Sequence, residues 1–195
     1  MKTDLFHSAR ALMTLAPGLG AVFLASLLLA TPPAGAATCP QMNVAIEAGN
    51  AFLAAARTEH PADFAAALAK YADMDRVALF ALGKYRRALP DARRAEFVAL
   101  SSRYVANTLA GFALKFRAMS IKPVECQDSL VITSLEFGGG RAAQRAIWRI
   151  NGGKVVDVDV QQAWLAQLLR DNYVAILDKA GGNINALFAA LRAKP

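Results

Sequence analysis

The chain has 195 residues, 55% of them hydrophobic, and 22 Lys and Arg against 15 Asp and Glu give a formal charge of +7. That length suffices for one domain with a real core. Its bases (among them Lys84, Arg86, Arg87, Arg93, Arg94, Arg103, Lys115 and Arg117) are spread out and form no arm. Such a surface suits anionic membrane headgroups or an acidic protein partner.

The first residues carry a tripartite export pattern. Lys2 and Arg10 precede an apolar run over 19–30, and Ala34-Gly35-Ala36 ends the segment with small residues at the spacing a signal peptidase reads. Cleavage is expected after Ala36, so that 1–36 is a signal peptide and 37–195 a single domain. Losing Lys2, Arg10 and Asp4 takes the formal charge from +7 to +6. The export signal disfavours nucleic acid as a partner. No later segment reaches membrane-spanning length, and a soluble mature protein is expected. Two cysteines, Cys39 and Cys126, remain, and in an exported chain an even pair reads as a disulfide.

In chain order, residues 42–57 are Ala-rich and helix-like, and Pro61 restarts a helix bearing Phe64, Leu68 and Tyr71. Asp73 can cap a third helix, stopped at Gly83. Pro90 is expected to open the longest helix, running to about Arg117, with Phe97, Tyr104, Phe112 and Phe116 on one stripe. From Met119 the pattern turns to strands: SIKPVEC, SLVITSLEF and AAQRAIWRI, with FGGGR between the second and third. NGG is a hairpin turn into a fourth strand over 154–160. That strand alternates, with Val156, Val158 and Val160 expected on one side and Val155, Asp157 and Asp159 on the other. A helix follows from Ala163 with no Gly or Pro between, and a last one spans 183–192. The expected class is α+β, a curved antiparallel four-stranded sheet packed against several helices.

Catalytic signatures are missing. The expected mature chain has one histidine, His60, expected in a loop beside Pro61, and no nucleophile elbow accompanies it. No HExxH, Cys/His cluster or carboxylate-rich loop suggests a metal. Gly138-Gly139-Gly140 lacks the GK[ST] of a phosphate cradle and joins two strands. Asp157 and Asp159 are expected to face water or pair with Arg145 or Arg149 across the hairpin. No enzyme activity and no cofactor are expected.

With those residues laid out, the chain from 71 to 191 resembles the MlaC-type periplasmic phospholipid-binding proteins, also called toluene-tolerance auxiliary proteins. The likeness runs through Asp73, Leu82, Gly83, Tyr85, Pro90, Arg93 and Phe97, then Trp148, Gly152, Val156, Asp157 and Val158, and then the C-terminal LLRDNY helix, its Gly181-Gly182 stop and a final Leu-rich helix. Two departures stand out. Gln161-Gln162-Ala163-Trp164 replaces a common Glu-Gly-Val-Ser, and Lys154 replaces an aromatic. They leave open a specialised branch such as the hopanoid-associated HpnM-type proteins.

The resemblance implies a periplasmic carrier without catalysis. Lipid acyl chains would lie between sheet and helices, the headgroup near the surface. The lining it implies is Tyr104, Phe112, Phe116, Ile132, Ile147, Val156, Val158, Val160, Ala163, Trp164 and Leu168. Implied partners are a phospholipid or related lipid, an inner-membrane ABC transporter complex and an outer-membrane lipoprotein complex. Periodicity alone favours a solid core over a pocket for the same stripes. A small cone-fold isomerase or cyclase is the other alternative, with Glu136 as its candidate buried acid.

Overall fold

The structure is a computed structural model that describes residues 39–115 and 119–193. The expected signal peptide, its cleavage point and Phe116 lie outside the described residues.

Helix α1 (Pro40–Thr58) and α2 (Pro61–Tyr71) both begin on a proline, whose fixed φ and missing N–H suit a first turn. Helix α3 (Met74–Ala81) is capped as its sequence predicts, Asp73 accepting the backbone N–H of Arg76 at 3.0 Å. Gly83 then takes φ +53°, and a short 3-10 stretch, Gly83–Ala88, follows. A Cβ at Gly83 would press on Arg170 and Val174, so the turn sits tightly against a later helix. Tyr85 strengthens that junction by donating its hydroxyl hydrogen bond to Asp178 at 2.5 Å.

The long helix expected over 90–117 is broken. Pro90 itself is extended (ψ 139°), a 3-10 turn covers Asp91–Arg93, α4 runs Arg94–Gly111, and another 3-10 turn covers Ala113–Lys115. No side chain caps the start of the helix: neither Leu89 nor Arg93 offers an acceptor, so the opening turn tightens instead of starting as an α-helix.

Strands β1 (Met119–Gln127), β2 (Leu130–Phe137), β3 (Gln144–Asn151), β4 (Lys154–Val160) and β5 (Ala163–Trp164) form one antiparallel meander in sequence order. The fifth strand, two residues long, was not expected. Gln161 and Gln162 sit at φ +57° and +64°, forming a tight two-residue hairpin that folds Ala163 back onto Val160 and Trp164 onto Asp159. A two-residue loop with both residues left-handed matches the twist of the flanking strands, and without glycine it forms at a steric cost. Helix α5 therefore starts at Leu165 and runs to Lys179, and α6 (Ile184–Ala193) closes the described chain.

Facing residues of an antiparallel pair share a side of the sheet. Val131, Thr133, Leu135, Ala146, Trp148, Ile150, Val155, Val158 and Val160 thus share the inner face, which packs on α1. Gly49 lets α1 approach closely, since a Cβ there would collide with the Ile121 side chain. The Cys39–Cys126 disulfide, Cα–Cα 6.3 Å, ties the start of α1 to the end of β1. The other face carries the ion pairs Lys122–Glu136, Arg145–Glu125 and Arg149–Asp157, beside the apolar pair Ile132 and Ile147.

Candidate functional site

The strand β4 expectation needs one correction. Ile150 pairs with Val155 but Arg149 pairs with Asp157, so Val156 is the extra residue of a β-bulge. The bulge reverses the phase. Val155 joins Val158 and Val160 on the inner face, while Val156 goes with Asp157 and Asp159 on the outer one.

The residues expected to line a lipid pocket fall into four places. Val158, Val160 and Ala163 come together on the inner face, each only partly buried, although their strand partners Trp148 and Ala146 are buried. Ile132 and Ile147 face each other on the outer side, with Val156 and Trp164. Tyr104 is buried among helices, edge-on to Tyr173 at 5.9 Å. Phe112 (47% exposed) and Leu168 (53% exposed) project from the end of α4 and the first turns of α5.

The buried apolar residues group into three clusters, linked by partly buried Phe52, Val98 and Val105. The first joins α1 to the inner sheet face and includes Met42, Ala45, Leu135, Trp148 and Ile150. The second joins α3 to α6 around Phe97, Tyr173, Leu177 and Phe188. The third lies among α1, α2 and α4. Phe137, Val158 and Val160 pack against the first cluster without being covered. These, with Ala163, make a half-covered apolar strip at the β4–β5 end of the inner face. Leu135, Phe137 and Trp148 were missed at the sequence level, though the alternation of β2 and β3 carries them.

Polar groups on the inner face are satisfied, Trp148 donating its indole N–H to Thr133 Oγ1 at 2.9 Å. In the second cluster the buried hydroxyls of Ser101 and Tyr173 make no hydrogen bond of normal geometry. Burial pushes the Tyr173 hydroxyl far up, with Ser101 opposing weakly, so it stays protonated and supplies no base. Glu136 is not buried in a cone: it lies on the outer face, accepts from Ser134 Oγ at 2.5 Å and has Lys122 at 3.8 Å.

The strand-to-helix junction is held by Asp157, whose Oδ1 accepts the N–H groups of Ala166 and Val158, each at 2.9 Å. Trp164, at the N-cap position of α5, has no acceptor, so a strand carboxylate caps the helix from below. Burial raises the Asp157 carboxyl above the ordinary aspartate value, against the pull of those two amides and of Arg149. Arg149 lies 3.6 Å from the carboxylate and 4.3 Å over the Trp164 ring. Among the described residues, no group of three or more metal-ligating side chains occurs.

Two concavities among the described residues bear on the site. A groove of about 460 Å³ runs between α1 and α2, lined by alanines with Thr58, Asp63, Lys70 and Tyr71. A cleft of about 250 Å³ lies between α3 and the outer side of β3 and β4. Neither opens on the Val158–Val160 strip. No helix among the described residues is long and apolar enough to cross a membrane.

Comparison with known proteins places this architecture. None of the curated proteins compared matches. A solved structure of the phospholipid-binding protein from Ralstonia solanacearum, in complex with a phospholipid, shares the fold at TM-score 0.64 and 15% identity, covering 80% of this chain and 97% of that one. The profile of the MlaC protein family matches residues 38–193, spanning every strand and helix of the described residues, and the chain belongs to that family.

Proposed function

We propose that this protein binds one membrane lipid per chain, by its acyl chains, at the β4–β5 end of the inner sheet face. The observation that carries the reading is the half-covered strip of Phe137, Val158, Val160 and Ala163, apolar surface left partly open beside the buried sheet cluster. Membership of the MlaC family supports it, as does the phospholipid held by the Ralstonia solanacearum protein. Each concavity described above is small for a pair of acyl chains, so the lipid enters by widening the space over the strip, a shift toward an open minor state.

The physics of transfer asks for such a protein. A two-chain lipid has on the order of 30 methylenes, each costing about 0.8 kcal/mol to expose to water. Shielding them takes shape and apolar lining and no catalytic group. Export by a cleaved signal peptide, a periplasmic location and shuttling between inner- and outer-membrane complexes complete the proposal. The ligand is a phospholipid.

Ala163→Trp tests the site. A tryptophan on the inner face beside Val160 fills the space of the acyl chains, so bound lipid falls sharply while the melting temperature stays near that of the parent. A destabilised variant with its full lipid load overturns this wall of the site, because it marks an overpacked solid core, typically costing about 1–3 kcal/mol.

A further inference from the structure

On the outer side of the sheet, the 250 Å³ cleft is lined by Arg76, Phe80, Arg149, Val156 and Asp157. The Val156 bulge makes it, by turning an apolar side chain out beside two guanidinium groups. Arg149 is preorganised, fixed between the Asp157 carboxylate at 3.6 Å and the Trp164 ring at 4.3 Å. Arg76 stands 3.7 Å from Asp73, whose other oxygen caps α3. Both arginines are about half exposed and line the cleft. Each guanidinium has five donors in a planar fork. Asp157 offsets their charge in part: its Oδ1 is taken by two amides, while its Oδ2 lies 3.6 Å from Arg149. Phe80, 41% exposed with Arg170 stacked at 5.3 Å, gives the cleft an apolar rim.

We propose that this cleft is a docking site for an acidic segment of a partner protein, one carboxylate bridging Arg76 and Arg149 and an adjacent apolar side chain resting on Phe80 and Val156. A guanidinium pair with an aromatic rim is the chemistry of interface anchors. The volume takes one side chain, and the cleft lies toward the β3–β4 turn, at the other end of β4 from Val160 and Ala163. The net positive charge of the chain favours an acidic partner on approach. The site stands independently of the lipid reading.

The test is fluorescence anisotropy at physiological salt with a dye-labelled peptide alternating glutamate and leucine. Arg76→Gln is expected to weaken binding about tenfold and Arg76→Gln/Arg149→Gln about a hundredfold, as charge-assisted hydrogen bonds are lost. Arg86→Gln/Arg87→Gln, with the same charge removed from the exposed 3-10 turn, should leave affinity within about twofold. Arg76→Gln should keep the parent's melting temperature and lipid load. Equal weakening by both double variants overturns the proposal, since it marks unspecific charge attraction. So does displacement of the peptide by millimolar inorganic phosphate or by anionic phosphatidylglycerol vesicles, which would make the cleft a phosphate or membrane site.

Discussion

The helical cluster and the inner sheet face use apolar residues in opposite ways. Around Phe97 the side chains of Tyr173, Leu177, Leu187, Phe188 and Leu191 are fully covered, with Phe97 at 6.0 Å from Tyr173 and 5.9 Å from Phe188. On the sheet, Val158, Val160 and Phe137 remain half open beside fully buried Ala146. Aromatic interlocking gives the first region its stability. Leaving apolar surface half covered costs the second region stability and makes it the place where a ligand's methylenes can be buried in exchange.

The largest effect is expected from the tie between sheet and α1. Replacing Cys39 and Cys126 with alanine opens a loop of sequence separation 87, worth about 4–5 kcal/mol on a chain-entropy basis. Denaturant midpoints of the oxidised protein and the double variant measure it; equal midpoints would detach the disulfide from the stability of the sheet.

Next, Phe97→Ala should cost about 3–5 kcal/mol, whereas Val160→Ala, from a half-covered position, should cost about 1 kcal/mol or less. Paired urea unfolding curves check the contrast. A cost of about 2–3 kcal/mol at Val160 would mean that the strip is packed as tightly as the helical cluster, and the comparison would break.

A smaller effect is expected where the two regions meet. Asp157→Ala leaves the first turn of α5 uncapped and should cost about 1–2 kcal/mol. Because burial raises this carboxyl, the folded chain holds the proton to higher pH than the unfolded chain. Stability contributed by the group therefore falls as pH rises from the ordinary aspartate value of about 3.9 through the raised one, and is level above it. Melting temperature against pH should show that fall in the parent and lose it in Asp157→Asn. The smallest change should be a gain: Gln162→Gly removes a left-handed non-glycine residue and should raise stability by about 1 kcal/mol, seen as a higher melting temperature with lipid load unchanged.

Much of the fold was legible because its signals are local. Pro61 starts a helix, Asp73 caps α3, Gly152-Gly153 turns the β3–β4 hairpin, and the two cysteines are bonded. The site was less legible because side-chain phase is not local. SLVITSLEF is apolar in both phases, so choosing Ile132 and Ile147 in place of Val131, Leu135 and Trp148 selected the opposite face. A one-residue phase shift flips every side chain of a strand. The bulge at Val156 flips the phase within a strand, and nothing in KVVDVDV announces it. The Gln161-Gln162 hairpin escaped notice because its left-handed residues are not the usual Gly or Asn.

Native mass spectrometry of the protein purified without detergent from a membrane-bearing host, with lipid extraction of the same sample, tests the central claim most directly. About one lipid per chain is predicted, lost on Ala163→Trp and retained on Arg76→Gln. A single lipid-free mass, unchanged after incubation with phospholipid vesicles, would contradict it.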